Sequence, residues 1–318
     1  MRGLWCGIVV GLLGALGLSG CGMRYWVCDE VDAKKLAALP RKLSETELFI
    51  DIGSDVLAPG VIAYRPAYEL WSDGAAKRRW IALPMGTRID SSDMNAWRFP
   101  TGTKLWKEFT RDGVRVETRI LAKLGPLDDD WVAASYVWQG DQRDAVLSAE
   151  PVLDVLGTPH DVPAAGQCMG CHGGRKNRVL GFSAVQLAGG ELDLAPMLST
   201  PPPTYQIPGN DVQRAALGYL YANCAHCHNT TRPKQTGARC YDPRRTVDFS
   251  LDVEQTTLAS TGIYRTGIDD AFVPGRPGES ELVKKMAKRQ RLGQMPPLAS
   301  EQVDAAALEL VKAWIAHP

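Results

Sequence analysis

An excess of charge of either sign is missing from this chain. Its 318 residues carry 36 Lys and Arg against 36 Asp and Glu, a formal net charge of +0. Without a basic surplus there is no electrostatic footprint for a nucleic acid, and none is expected as a partner. Histidine is scarce, with five in the chain. No Ser-His-Asp arrangement, phosphate-cradling loop or pair of carboxylates with usable spacing is found, so the common hydrolytic and nucleotide-dependent chemistries have no signature here. There is no internal repeat beyond one short motif that occurs twice, and no low-complexity tract apart from prolines. What is present allows a packed core: 45% hydrophobic and 23% charged residues, with 31 Gly and 21 Pro to serve many turns. The length suits two domains at about 100–200 residues each.

The one long apolar run is N-terminal. "MRGLWCGIVVGLLGALGLSGC" has a single charge at Arg2, an apolar stretch to Leu18 and then small residues. That is the architecture of a secretory signal. The ending Leu18-Ser19-Gly20-Cys21 resembles a bacterial lipobox, which implies lipidation of Cys21 and residues 1–20 as a lipoprotein signal peptide. A simple membrane anchor is the alternative, but the run is short and Gly-rich for a span of about 20 residues. The expected location is the periplasm, with lipid holding the protein to a membrane, the outer membrane by expectation.

The other cysteines follow a pattern. Cys168, Cys171 and His172, and again Cys224, Cys227 and His228, spell C-x-x-C-H. This reads as covalent haem attachment: two thiols on one turn reach two vinyls, and the adjacent imidazole is aimed at the iron. Two c-type haems are therefore expected. The alternative is zinc held by two C-x-x-C pairs, but 52 residues separate those pairs, far more than a zinc ribbon uses. Cys6 leaves with the signal. Cys28 and Cys240 remain as a candidate disulfide in an oxidising compartment, the alternative being that both stay free.

Periodicity sorts the remainder. Residues 21–49 read as a tether and a short helix with a break at Pro40. "TKLWKEFT" and "VRVETRIL" alternate around Asp112-Gly113 as a hairpin, and "WVAASYVW" (131–138) is a further strand. Residues 50–195 are thus expected to form an antiparallel β-rich domain that carries the first haem motif near its end. Residues 196–209, with Pro201, Pro202, Pro203 and Pro208, read as a stiff linker. From Asn210 the period changes. Val212, Ala215, Ala216, Tyr219 and Leu220 share a helical face leading into the second motif. Leu282, Val283 and Met286 stripe a second helix capped by Ser280. Val303, Ala306, Ala307, Leu310, Val311, Trp314 and Ile315 stripe a last one, with Ser300 as its expected N-cap. The fold class expected is α+β multidomain, the β-rich part preceding an all-α one.

Residues 210–318 resemble a class I cytochrome c domain: helix, Cys224-Ala225-His226-Cys227-His228, a loop with "QMPPL", and a terminal helix. The resemblance implies thioethers at Cys224 and Cys227, His228 as proximal ligand and Met295 as distal ligand. It also implies that Gly218 and Tyr219 cross the last helix near Trp314. Met286 is the fallback ligand, and His226 is expected to be a solvated spacer. A thioether sulfur opposite histidine raises the reduction potential, as electron carriers require.

The first site has no comparable partner across the iron. His160, Met197 and Met169 are candidates, and His317 is remote in sequence. "WRFPTGT" and "FPTGTKLWKEF", with the motif from Gln167 to Gly173, resemble the cytochrome c′-beta group and the lysine-cross-linked hydroxylamine-oxidising cytochromes. That resemblance implies a β-fold haem site with an open distal position, and it makes Lys104 and Lys107 the candidate cross-linking lysines. The chain as a whole resembles a family of bacterial dihaem c-type cytochrome lipoproteins. "YELWSDGAAKRRW" (68–80) reads either as a strand edge with solvated charges or as a contact for haem carboxylates or a partner. Lys284, Lys285, Lys288, Arg289 and Arg291 form a basic run, either a solvated helix face or a patch that steers redox partners. The function expected is single-electron transfer between periplasmic redox partners. The alternative is an enzyme with an open catalytic haem at His172, acting on a small nitrogen compound or peroxide, with the second haem as electron exit.

Overall fold

The computed structural model describes residues 31–187, 189–232, 247–290, 293–297 and 300–318. Cys6, Cys21, Cys28 and Cys240 lie outside the described residues, and with them the signal, the lipidation site and the candidate disulfide. Among the described residues no helix is long and apolar enough to cross a membrane.

The described chain starts with a short helix, α1 (Ala33–Ala37). The Asp32 carboxylate caps it by accepting from the backbone N–H of Lys34 and Lys35 at 3.0 and 3.1 Å. A two-stranded ribbon, β1 (Phe49–Asp51) with β2 (Val56–Leu57), follows. Six strands then run antiparallel in chain order: β3 (Val61–Ala63), β4 (Ala76–Ala82), β5 (Lys104–Arg111), β6 (Val114–Lys123), β7 (Trp131–Trp138) and β8 (Ala145–Ser148). The β5–β6 hairpin closes where Arg111 pairs Val114, with Asp112 and Gly113 at φ 50° and 81°. Positive φ at both corner residues matches the right-handed strand twist, which is why Asp-Gly serves this turn.

Side chains alternate across the sheet, so its faces carry different chemistry. Trp80, Trp106, Ile120 and Ala134 stand in register on one face and pack under Leu39, Leu43, Leu48 and Phe49. The other face carries a register row of Ile81, Leu105, Leu121 and Ala133 and, beside it, a row of Arg79, Lys107, Arg119 and Ser135. The apolar row is covered by Trp97, Phe99, Phe182 and Met197. α2 (Cys168–His172) and α3 (Ala184–Leu187) follow the sheet.

The proline-rich segment is packed at both ends. Leu198 bridges Ile89 and is buried in the sheet core, and Ile207 is buried among the helices that follow. Those helices are α4 (Asp211–Asn223), α5 (Gly262–Thr266), α6 (Glu281–Met286) and α7 (Ala305–Ala316). Among the described residues this part has no strand, so the fold is mixed α+β, an antiparallel sheet followed by helices. Asn210 and Gln213 cap α4 reciprocally, each side-chain oxygen accepting from the other's backbone N–H. Leu217 and Leu220 of α4 share a core with Val311, Trp314 and Ile315 of α7 and Leu282, Val283 and Met286 of α6.

Three local expectations are corrected. The buried face of α4 is turned toward Gln213, Leu217 and Tyr221, leaving Val212 42% exposed. The N-cap of α7 is Asp304, accepting from Ala307 N–H at 3.0 Å, because Ser300 is held elsewhere: its hydroxyl faces the Asp73 carboxylate. A Cβ at Gly218 would meet the Tyr68 ring at 2.0 Å, so the glycine makes room for Tyr68 rather than for α7.

Tyr68 belongs to a strap that ties the two parts together. Trp71 N–H donates to Asn223 Oδ1 at 2.7 Å, and Asn223 Nδ2 returns to the Glu69 carbonyl at 3.2 Å. Asp73 accepts from the backbone N–H of Glu301 and Gln302 at 2.8 and 3.0 Å. Residues 68–73 are therefore a structural seam and not a solvated strand edge.

Candidate cofactor site

A cavity of about 1480 Å³ opens between the sheet and the helices, and both C-x-x-C-H motifs line it. Cys168, Cys171 and His172 reach it from α2, and Cys224, Cys227 and His228 from the turn closing α4. That turn is built by the Cys227 and His228 N–H groups, which both donate to the Cys224 carbonyl, at 3.1 and 2.9 Å.

His172 is held by its own loop. Its Nδ1 lies 2.6 Å from the Arg178 carbonyl. A carbonyl only accepts, so Nδ1 carries the proton and Nε2 keeps its lone pair, the tautomer a metal needs. Burial pushes the His172 pKa down, which keeps the ring neutral. The Arg178 guanidinium donates back to the Gly173 carbonyl at 2.9 Å and fixes the loop. His228 sits edge-on to Phe249, with ring centroids 5.6 Å apart, and its carbonyl accepts from Phe249 N–H at 3.0 Å.

The two motifs lie back to back, although 52 residues separate their cysteine pairs in sequence. A Cβ on Gly174 would fall 1.4 Å from the His226 carbonyl oxygen, so only glycine allows this approach. Asn229 Nδ2 bridges the Gly174 and Ala225 carbonyls at 3.0 and 2.7 Å, and Arg232 donates to the Gly170 and His226 carbonyls. Cys227 Sγ lies 3.5 Å from the Gly170 carbonyl. His226, expected as a solvated spacer, is only 6% exposed, because the first motif covers it. Its ring joins Cys171 and Cys227, with donor atoms within 4.8 Å of one another.

The four cysteines are free and half-buried, and their thiols differ. Burial pushes Cys168 to about 11 and Cys224 to about 12. A hydrogen bond between Cys171 and Cys227 sets that pair apart: Cys171 is held well below the ordinary thiol range and Cys227 well above it.

The helical side of the cavity presents Met295, Met286, Tyr219, Phe249 and Leu282. Met295 N–H donates to the Lys285 carbonyl at 3.1 Å, and Arg289 folds inward onto the Met286 carbonyl at 3.0 Å. Met286 is also part of the helical core. In the basic run, Lys284 pairs with Glu281 at 3.1 Å and Lys288 is exposed. Arg291 lies outside the described residues.

The sheet side presents the row Arg79, Lys107 and Arg119. Like charges directly opposite one another on neighbouring strands cost about 0.2–1 kcal/mol per pair. Two carboxylates offset part of this. Glu69 lies 3.5 Å from Lys77 and 3.4 Å from Arg79, and Glu117 lies 2.7 Å from Arg119. Lys107 has no carboxylate within ion-pair distance among the described residues, and its ammonium stands 4.8 Å over the Phe109 ring. Burial, then Arg79, Arg119 and Lys77, hold its pKa well below the usual lysine range. Glu117 is fully buried, which opposes its ionisation, but Arg119 and His160 overcome this and hold it at about 2.

The candidate partners across from His172 separate clearly. His160 lines the cavity, but its Nε2 is 3.0 Å from Glu117 Oε2. Met197 is buried in the sheet core, and neither it nor Met169 lines the cavity. His317 is exposed at the chain end. Of the two lysines, Lys107 lines the cavity, whereas Lys104 pairs with Glu47 at 2.6 Å and does not. Arg79 lies in the 68–80 stretch that the sequence offers as a contact for haem carboxylates, and it does line the cavity, whereas Arg119, Glu117 and His226 were not singled out for this site from sequence. For Arg119 and Glu117 the only available signal was their placement on alternate positions of one strand.

Comparisons with protein-family models, with curated proteins and with solved structures each find no match for this chain.

This donor set fits two haems held through thiols. Each motif brings two cysteines and an imidazole to open space, and cations stand ready for carboxylates. It fits a closed zinc site less well. Among the described residues three donor groups converge at Cys171, His226 and Cys227, one short of the four a structural zinc takes.

Proposed function

We propose that the chain is a c-type cytochrome with two covalently attached haems, tethered by lipid at Cys21 in the periplasm and engaged in single-electron transfer between redox partners. The observation that carries this reading is the placement of both C-x-x-C-H motifs against each other on one cavity large enough for bulky occupants. The haems would supply reversible one-electron chemistry at iron. The chain's residues do the rest. Cys168, Cys171, Cys224 and Cys227 anchor the porphyrin edges. His172 and His228 would offer imidazole nitrogens to the irons, and Met295 would offer a thioether sulfur to the second. The helical part then acts as a cytochrome c domain, and its stiff Met295-Pro296-Pro297 loop holds a weak ligand in place. Contact between the motif backbones would bring two attached haems near one another, an arrangement that favours fast exchange between them.

A pyridine haemochrome assay on the purified mature chain tests this. Two haems per chain are expected, and one in a Cys224→Ala/Cys227→Ala variant. Stoichiometric zinc with no haem would replace the reading with a metal site at Cys171, His226 and Cys227.

One observation favours the enzyme alternative for the first haem. Among the described residues no methionine lines the sheet side of the cavity, and His160 is turned to Glu117, so none of the candidates offered for His172 is free to serve as its partner. An open iron position permits small-molecule chemistry. Ferric spectra showing a high-spin component and binding of carbon monoxide to the reduced protein would support it, whereas two purely low-spin haems would remove it.

A further inference from the structure

Attachment through the two motifs uses thiols and imidazoles and does not itself call on the cation row on the sheet. Arg79, Lys107 and Arg119 stand in register on three adjacent strands and line the cavity on the side where Cys168 and His172 open. Lys77 stands on the same face one step along β4, its side chain 8% exposed. Among the described residues, two carboxylates lie within ion-pair distance of these four cations, and both are shared. Glu69 also lies 3.3 Å from Arg65, and Glu117 also holds His160. The Nε and Nη2 of Arg119 are turned to Glu117 at 2.7 and 2.9 Å, which leaves its Nη1 for another acceptor. Lys107, between the two arginines, has an aromatic face beneath its ammonium and, among the described residues, no carboxylate within ion-pair distance.

A surplus of positive charge partly withdrawn from water is stabilised by an opposite charge that it can pair with. We propose that Arg79, Lys107 and Arg119 form an anion-binding site on the sheet wall of the cavity, taking an oxyanionic group. Guanidinium forks match the planar edge of a carboxylate or of a small oxyanion, and the lysine between them adds a movable point charge. Two sources share this chemistry. One is a small free oxyanion entering the cavity, as the substrate of an enzyme or an effector of a carrier. The other is the carboxylate pair of a haem held by Cys168 and Cys171, which rests on the dihaem reading.

The test uses the full mature chain as isolated, with Lys107→Gln and Arg79→Gln as variants and Lys104→Gln as the control on the other face. Nitrite, sulfite and sulfate are titrated calorimetrically at constant ionic strength. If the site takes a free oxyanion, the wild type saturates with at least one of them. Lys107→Gln then weakens binding roughly tenfold or more, and Lys104→Gln leaves it unchanged. If the site holds the cofactor's carboxylates, the loaded protein takes up none of the three. Resonance Raman spectra then show the haem carboxylate bending band displaced in Lys107→Gln and Arg79→Gln but not in Lys104→Gln. No titration and no displaced band, at unchanged haem content and melting temperature, would overturn the proposal. Should a variant fail to accumulate, the wild-type titration with the other variant decides. A haemochrome result below two haems per chain counts against the dihaem reading alone, because the oxyanion titration still decides whether the row binds anions.

Discussion

Substituting Gly174 by alanine tests the contact between the two motifs. The new Cβ would stand 1.4 Å from the His226 carbonyl oxygen and 2.6 Å from Arg232 Nη1. Ordinary contact begins near 3.4 Å, so the backbone at residue 226 must retreat by about 2 Å. Backbone cannot turn aside as a side chain does. The retreat strains the Asn229 bridge to the Gly174 carbonyl at 3.0 Å and the Arg232 bond to the His226 carbonyl at 3.2 Å. Overpacking costs about 1–3 kcal/mol and a hydrogen bond lost adds about 1 kcal/mol, so with one of these two bonds lost the expected loss is about 2–4 kcal/mol. Urea unfolding followed by circular dichroism reads it as a lower midpoint at unchanged slope. Gly218→Ala is the comparison: its Cβ meets the Tyr68 ring at 2.0 Å, a side chain that is able to rotate, and the loss should be smaller. A Gly174→Ala protein within about 0.5 kcal/mol of wild type would mean that the motifs do not touch as described, since that is the scale of an innocuous surface change.

Three further outcomes follow from the same geometry. Glu117 is held at about 2, below the 4.5 of an unperturbed glutamate, so its ionised form stabilises the fold above pH 5 and that contribution is lost as pH falls toward 2. The stability gap between wild type and Glu117→Gln should therefore narrow from roughly 3 kcal/mol at neutral pH as the solution is acidified, and a gap independent of pH would refute the assignment. Met295→Ala should abolish the weak ferric absorption band at the red end of the visible spectrum that marks sulfur ligation, while leaving the haem count at two; persistence of that band would shift the role to Met286. Asp73→Ala removes the acceptor for the Glu301 and Gln302 N–H groups and should cost about 1–2 kcal/mol in thermal unfolding, as loss of a helix cap does.

What could be read from sequence was what neighbours in the chain decide. Asp112-Gly113 demanded a tight turn and formed one, and the alternation of "WVAASYVW" became β7. The Leu282, Val283 and Met286 stripe is buried as the helical period required. What could not be read depends on register and long-range contact. Arg79, Lys107 and Arg119 share no motif, and only strand pairing aligns them in one row. His226 looks like a spacer until the first motif lands on it. Val212 kept an apolar residue at the right period, yet the strap drew the buried face of α4 toward Tyr68 and away from it. Ser300 had the composition of a cap, but Asp73, more than two hundred residues earlier, took its hydroxyl and the N–H groups that follow.

The strap has a consequence for the order of events during assembly. Residues 68–73 leave the ribosome about 140 residues before α4 (Asp211–Asn223), onto which they dock. The trough beside Gly218 and the polar groups of Asn223 are thus completed by a segment that is already waiting. The helices inherit their docking partner from the sheet, and a fragment beginning near residue 200 would emerge with the Tyr68 trough open and the Asn223 amide missing its acceptor at Glu69. Swapping this helical half into another protein would need the six-residue strap grafted with it.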